Sequence, residues 1–162
     1  MIILRWLIRL VVVLVVLLAA VVVGARLHDG PLGPLPGGRL ASGALVTEPV
    51  VDWSFATDVA EVELQLESQS KSRTTWILVH EGRAYIPCST GFPPGKTWHR
   101  SALEDGRATL RIAGKRYPVT LRKTDDARVL SAVREIAERK YPSHPGGEVW
   151  LFDVTSRSST AS

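Results

Sequence analysis

The stretch RTTWILVHEGRAYIPCSTG, residues 73–91, decides the fold of this chain. Two apolar segments, TTWILVH and RAYIPC, flank the pair Glu81 and Gly82. β-Branched and aromatic residues favour strands, and a short turn that contains Gly is typical of a hairpin. The stretch therefore predicts two antiparallel strands, with a group of polar residues at the end of the hairpin away from the turn.

Other segments carry strand signals of the same kind. EVELQLE, residues 61–67, places an apolar residue at every second position, which is the period of a half-buried strand. RATLRI and RYPVTLRKT, on either side of AGK, predict a second hairpin, and Pro118 within it predicts a sheet edge or a bulge. EVWLFDV predicts one more strand near the end of the chain.

Helical signals are fewer than strand signals. TWHRSALEDG predicts a short helix, and DDARVLSAVREIAERKYP predicts a longer one that Thr124 or Asp125 caps and Pro142 ends. The longer segment has one apolar stripe: Val129, Leu130, Val133, Ile136 and Ala137. Strands and helices do not alternate, which argues against a doubly wound α/β fold. We expect an antiparallel β-barrel of about six strands with a helix packed beside it.

The N-terminal segment differs in composition from the rest of the chain. Residues 6–25 are apolar except for Arg9, and roughly 20 apolar residues are enough to cross a bilayer as a helix. We therefore predict a single membrane-spanning helix that contacts lipid through residues 6–25. The alternative is a cleaved signal peptide, with Arg5 and Arg9 in its charged region and Val23-Gly24-Ala25 as its cleavage site. The distribution of basic residues favours a cytoplasmic N-terminus and a domain on the outside.

These signals divide the chain into four parts. Residues 1–26 are the membrane anchor or signal segment, and residues 27–47 are a Gly/Pro-rich linker. The linker is expected to be a flexible tether, unless Leu32, Leu35 and Leu40 dock on the domain. Residues 48–155 form the barrel domain, and residues 156–162 form a frayed tail.

Charge and cysteine content exclude some function classes. The net charge is +4, but three of the 20 basic residues lie in the N-terminal segment, which leaves 17 against 16 acidic residues. A nucleic-acid partner is not expected, since the charges are interspersed and form no basic patch. Cys88 is the only cysteine, so no intrachain disulfide can form, and we expect it to be buried. The sequence contains no recognisable metal-binding motif.

The order of these features resembles a known family. A strand with Arg-Thr-Thr, a Gly hairpin, an aromatic strand, a Ser/Gly-rich loop and Lys-x-Trp before a short helix is similar to the FMN-binding split-barrel superfamily. This is the pyridoxamine 5′-phosphate oxidase-like fold, and the nearest likeness is to its deazaflavin-dependent nitroreductase-type branch. The resemblance covers residues 58–154. It implies a homodimer with FMN or a deazaflavin at the subunit interface, and it implies these cofactor-binding residues: Arg73, Thr74, Thr75, Ser89, Lys96 and Trp98.

The residue types agree with a phosphate site. Arg73 offers a planar fork, Lys96 offers a point charge, and backbone amides in residues 89–91 could add further donors. Trp98 is the candidate for stacking on a ring system, whereas Trp76 is expected in the core. The chain departs from the family in the Pro93-Pro94 pair of the loop, in His99-Arg100 after Trp98, and in its predicted outside location.

Two hypotheses about function follow from these features. The first is a membrane-tethered flavin- or deazaflavin-binding protein that acts as an oxidoreductase, with no catalytic residue or substrate identifiable from the sequence. The second is a membrane-anchored binding or assembly module on the same fold that uses no cofactor.

Overall fold

A computed structural model describes residues 2–91, 93–141 and 147–158. The chain opens with helix α1 (Ile2–Leu27), which residues 28–43, here called the arm, connect to the domain. The remaining elements follow in chain order: β1 (Ala44–Leu45), a 3₁₀ turn (Ser54–Ala56), β2 (Glu61–Leu66), β3 (Ser72–Trp76), β4 (Leu78–His80), β5 (Arg83–Ser89), α2 (Trp98–Glu104), β6 (Arg107–Ile112), β7 (Lys115–Thr124), α3 (Ala127–Lys140) and β8 (Val149–Ser156).

The sheet is an antiparallel split barrel, as predicted. Its strand order is β3-β2-β6-β7-β8-β5-β4, and the short β1 pairs in parallel with β7. The two outer strands, β3 and β4, are consecutive in the chain and only Ile77 separates them. A sheet whose first and last strands are joined by one residue must curl until its edges meet. Ile77 is completely buried at this crossover.

The crossover changes the predicted strand count. The segment expected to form one strand is divided at Ile77: β3 pairs with β2 at one edge, and β4 pairs with β5 at the other. The part of the chain that the structure describes therefore has seven main strands and the short β1, where about six were expected. The predicted turn is confirmed, because Glu81 and Gly82 both have positive φ, at 49° and 72°. Two left-handed residues make the tight turn that suits the twist of a hairpin.

Pro118 occupies an inner strand, which differs from the expected edge or bulge. β7 lies between β6 and β8, and Pro118 pairs with Thr109 in a continuous register. On the other side the ladder to β8 ends at Val119 and Ser156. Just beyond it the Pro118 carbonyl accepts a hydrogen bond of 2.9 Å from the Arg157 amide. Proline fits here because it lies where the β8 ladder ends, so no further strand requires its missing N–H.

Two hydrophobic cores form on the two faces of the sheet. The barrel interior holds one, to which β2 contributes Val62, Leu64 and Leu66. The second lies between the outer face and α3, where Val133 is buried and Trp76 stacks on Tyr141 at 4.1 Å between ring centroids. Trp76 is thus packed in the second core, half-buried beneath the helix.

The start of α3 corrects one prediction. Asp126, and neither Thr124 nor Asp125, is the N-cap, and its carboxylate accepts from the amides of Arg128 and Val129 at 2.9 and 3.4 Å. Its side chain therefore satisfies two of the amides that a helix start leaves without partners. The helix ends at Lys140, and the predicted stop at Pro142 lies outside the described residues.

The arm is docked on the outer face of the sheet and does not behave as the flexible tether that its composition suggested. The Ser72 hydroxyl donates to the Gly38 carbonyl at 2.6 Å, and the Gln65 side chain accepts from the Leu40 amide at 2.8 Å. Ser72 and Gln65 are 0% and 5% exposed, because the arm covers them and supplies their hydrogen-bond partners. Leu40 is buried with them, whereas Leu32 and Leu35 stay exposed.

The beginning of the predicted tail is also attached to the barrel. Arg157 donates to the Val119 carbonyl at 3.1 Å and forms an ion pair with Glu67. Glu67 also lies near Arg107, and Glu63 pairs with Arg111, so acidic and basic residues of neighbouring strands face each other across the sheet.

Helix α1 remains a candidate membrane span. Residues Ile3–Leu27 are long and apolar enough to cross a bilayer, and an 18-residue window within them has a mean hydropathy of 3.1. A signal sequence would satisfy the same criteria.

Candidate functional site

Arg73 points into the barrel from an outer strand. It pairs with Leu64 across the β2–β3 ladder, so it shares the inner face with the apolar residues of β2. Its Nη2 donates to Gln69 Oε1 at 2.6 Å, and its Cζ lies 5.4 Å from the centroid of the Trp98 ring. Its Nε is buried and has no hydrogen-bond partner among the described residues. Burial lowers the pKa of Arg73 to about 10, although the nearby Cys88 thiol opposes this shift.

Cys88 connects Arg73 to Lys96. Its side chain also faces the interior, from β5, and is 2% exposed, as expected for the only cysteine. Burial raises the pKa of the thiol, while the charge of Lys96, its hydrogen bond to the thiol and the charge of Arg73 lower it. Both cations therefore act on one buried sulfur atom. We call Arg73, Cys88, Lys96, Trp98 and His99 the Arg73 cluster.

His99 brings a second buried polar atom without a partner to this cluster. It is 3% exposed at the start of α2, and its Nδ1 has no hydrogen-bond partner in the part of the chain that the structure describes. Its ring packs edge-on against Trp150, with 5.0 Å between the centroids. Burial lowers the pKa of His99, and the charges of Lys96 and Arg100 lower it further. These shifts favour the neutral form of the His99 ring.

The structure gathers only part of the predicted cofactor set. Arg73, Lys96 and Trp98 meet in the cluster, and Thr75 shares the inner face of β3 with Arg73. Ser89 follows Cys88 at the end of β5, where it pairs with Val149.

Two predicted donors point elsewhere. The Thr74 hydroxyl lies on the opposite face of β3 and donates to the Gly33 carbonyl of the arm at 2.8 Å. The Thr90 amide donates to the Glu148 carbonyl at 3.0 Å, which removes it from the expected set of loop amides.

Trp98 has a different environment from the one expected for a stacking surface. It is 4% exposed and packs on Phe152, with 5.5 Å between ring centroids. Arg73 lies over its ring. In this structure Trp98 supports the guanidinium from within the barrel core.

Sequence reasoning missed Gln69, and it noted His99 only as a departure from the family pattern without assigning it to the site. Gln69 accepts from Arg73 and donates from its Nε2 to the Ser101 hydroxyl at 3.1 Å, so it links β3 to α2. It lies in a polar turn, where no pattern distinguishes it from its neighbours. His99 follows the recognisable Lys-x-Trp motif, but only the direction of α2 places its ring in the interior.

This arrangement suits an anion. A buried cation normally has a carboxylate partner, yet Arg73 forms no ion pair with any carboxylate of the described residues. A second cation, Lys96, lies beside the same thiol. Within the same described ranges, no group of His, Cys, Asp and Glu is suited to hold a metal ion.

Comparisons with known proteins include a distant likeness in fold. No protein-family model matches the chain, and no curated protein matches it. Among solved structures, the chain is similar to a Listeria innocua protein described as a pyridoxamine 5′-phosphate oxidase. The TM-score is 0.45 and the identity 9%, over 60% of this chain and 83% of that one. A similarity of this size transfers neither residues nor activity.

Proposed function

We propose that this protein is a membrane-tethered split barrel that binds the phosphate of a flavin or deazaflavin at the Arg73 cluster. The observation that carries the proposal is the Arg73 guanidinium, which is largely buried, has an unpartnered Nε and lacks a carboxylate partner among the described residues. Burying a charge without compensation is costly, and a bound phosphate would compensate it.

The residues of the cluster fit a phosphate better than they fit a ring. Arg73 and Lys96 would hold the phosphate, and Thr75, on the same face of β3 as Arg73, would add a hydroxyl. Ser89 is next to the inward Cys88 and so lies on the other face of β5. The Trp98 ring, against which the Arg73 guanidinium lies, would hold that guanidinium in place. When bound, the cofactor would supply hydride chemistry, and the chain would orient it and exclude water. We infer an oxidoreductase on that basis.

Anchoring and assembly complete the proposal. Helix α1 would hold the barrel at a membrane, with the N-terminus in the cytoplasm and the barrel outside. A homodimer with the cofactor at its interface is part of the same hypothesis.

The first test is a binding titration of the full chain in a neutral detergent. FMN, riboflavin and a phosphate-bearing deazaflavin are added separately, and binding is followed by the change in ligand fluorescence. Riboflavin has the ring of FMN without the phosphate, so it should bind weakly. Charge-assisted hydrogen bonds contribute about 1.5–3 kcal/mol each, so the Arg73→Gln, Lys96→Gln double variant should lose at least about a hundredfold in affinity for the phosphate-bearing ligand.

The matched control is Arg100→Gln, which removes an exposed cation from α2 close to the cluster. It should bind like the wild-type chain. Equal binding of FMN by the double variant, or equal loss in the control, would contradict the proposed site. Circular dichroism of each variant shows whether the barrel is intact.

One observation favours the alternative, a binding module without a cofactor. Gln69 and Trp98 already stabilise the guanidinium from two sides, so Arg73 can serve as a structural link between β3 and α2. In that case the wild-type chain binds none of the three ligands, and Arg73→Gln lowers the midpoint of thermal unfolding.

A further inference from the structure

We infer that the cleft between α1 and the barrel binds the headgroup of an anionic phospholipid. The inference depends on retention of α1 as a membrane anchor, but it is independent of any flavin. The cleft has a volume of about 110 Å³. Its walls come from the end of α1, from the arm and from the turn between β2 and β3: Val22, Ala25, Arg26, Leu35, Pro36 and Lys71.

The cleft is preformed because the arm folds tightly against the last turn of α1. The Gly38 amide donates to the His28 carbonyl at 2.9 Å, and a Cβ at Gly38 would lie 2.8 Å from the Arg26 carbonyl oxygen. A Cβ at Gly37 would lie 1.7 Å from the Gly30 carbonyl oxygen, so no side chain fits there. Ala25 is accordingly only 2% exposed at the end of an otherwise exposed helix.

The same contacts connect the helix to the sheet. Gly37 exchanges two backbone hydrogen bonds of 3.1 Å with Ser72 of β3. Lys71, the residue before Ser72, is thereby placed beside α1. The separation between Arg26 and Lys71 is thus set by the fold rather than by a mobile linker.

The chemistry of the cleft matches a phospholipid at the membrane surface. Among the described residues, Arg26 and Lys71 are the only charged ones that line it, and neither forms an ion pair with a described carboxylate. The nearby carboxylate of Asp29 is occupied by Arg111. Arg26 is also the first charged residue after the apolar span, which places it at the level of the headgroups.

The apolar wall decides between a lipid and free phosphate. Val22 lines the cleft and belongs to the exposed apolar surface of α1, along which an acyl chain can lie. Leu35 forms part of the opposite wall and is 39% exposed. Two cations above an apolar surface suit an amphiphile, with the phosphate at the cations and the chain along the helix.

The test uses the full chain reconstituted in nanodiscs of phosphatidylcholine with a minor fraction of phosphatidylglycerol. Native mass spectrometry counts the lipids of each kind that stay bound. The wild-type chain should retain phosphatidylglycerol in preference to phosphatidylcholine. Removing both cations, as Arg26→Gln with Lys71→Gln, should reduce that preference by about twenty-five-fold, since each basic residue near a membrane surface contributes roughly fivefold.

Three further measurements make the outcome decisive. The control double variant, Lys115→Gln with Arg134→Gln, loses the same charge at exposed positions outside the cleft and should keep the preference. Val22→Trp fills the cleft without changing the charge, and this variant should lose the preference for phosphatidylglycerol. Inorganic phosphate should not displace the retained lipid.

The inference would be overturned by an unchanged preference in the Arg26→Gln, Lys71→Gln variant or in Val22→Trp, by equal loss in the control, or by no preference in the wild-type chain. Displacement by inorganic phosphate, or an intact mass showing that α1 has been removed, would overturn it as well.

Discussion

Arg111 and Asp29 are 82 residues apart in the chain, yet Arg111 Nη1 donates to Asp29 Oδ2 at 2.9 Å. The same guanidinium pairs with Glu63 on the neighbouring strand, so it ties the arm to the outer face of the barrel. Asp29 also accepts from the amides of Ala41 and Ser42 farther along the arm. This carboxylate therefore closes the arm into a loop and attaches that loop to β6.

Acid should release the arm. The Ser42 hydrogen bond, with those of Ala41 and Arg111, holds the pKa of Asp29 well below its usual range, although burial opposes this. Because the folded pKa is depressed, the stabilisation is present above the unfolded value of about 3.9 and is lost as the pH falls below it. Hydrogen exchange of the amides in residues 37–46, corrected for the intrinsic pH dependence, should become faster below about pH 4.

Asp29→Asn should imitate the acidic state at neutral pH. Amide hydrogen exchange in residues 37–46 of this variant should be faster than in the wild-type chain. A fall in pH below about 4 should not make it faster still. Glu48→Gln changes an exposed carboxylate just beyond the arm and is the matched control. Unchanged protection in Asp29→Asn would mean that the backbone contacts alone hold the arm.

Ile77→Ala should be among the more damaging single truncations in the barrel. Ile77 is 0% exposed and joins the two outer strands, and truncation of a buried Ile to Ala costs about 2–5 kcal/mol. Urea unfolding of the full chain in detergent, followed by tryptophan fluorescence, measures the difference in free energy. Leu103→Ala, at a position that is 53% exposed, should cost less than about 0.5 kcal/mol. Similar losses in the free energy of unfolding for Ile77→Ala and Leu103→Ala would show that burial of Ile77 at the crossover is not important for stability.

Asp126→Ala should destabilise the chain by about 0.5–2 kcal/mol, the usual effect of losing an N-cap. Asp125→Ala should have little effect, because Asp125 is exposed and its side chain forms a surface ion pair with Lys123. Thermal unfolding followed by circular dichroism compares the two variants. A larger loss in Asp125→Ala would show that the cap is one residue earlier than the structure places it.

Tyr141 should ionise only at high pH. Burial raises the pKa of its phenol to about 12, and the hydroxyl donates to the Ile77 carbonyl at 3.2 Å. Because the folded pKa is raised, this stabilisation is present below the unfolded value of about 10 and is lost as the pH rises from 10 toward 12. Burial also raises the pKa of Tyr85 and of Tyr117, so the ultraviolet absorbance of tyrosinate in Tyr141→Phe should keep a late rise but lack the part near pH 12. A wild-type titration complete near pH 10 would argue against this burial.

Several features of this protein were predictable because local sequence determines them. The alternation in residues 61–67 identifies a strand face, since side chains alternate across a sheet. Glu81-Gly82 identifies the hairpin, because few residues tolerate the left-handed conformation of both turn positions. The stripe of α3 and the apolar run of α1 follow equally from the spacing and composition of neighbouring residues.

Other features depended on contacts between residues distant in the chain. The periodicity of TTWILVH is the same whether the strand keeps one partner or changes partners at Ile77, so only the closure of the barrel shows the break. The arm has a linker's composition, but buried Ser72 and Gln65 required its backbone as hydrogen-bond partners.

The candidate site shows the same division. The resemblance to the split-barrel superfamily singled out Arg73, Lys96 and Trp98, and the structure brings these three side chains together. Whether a side chain points into the barrel or away from it depends on strand register, which separated Arg73 from Thr74. Whether Trp98 is an open surface or part of the core depends on what packs over α2. The sequence by itself determined the strands, turns and helices, and tertiary packing decided which of their side chains meet, because burial and pairing are properties of distant contacts.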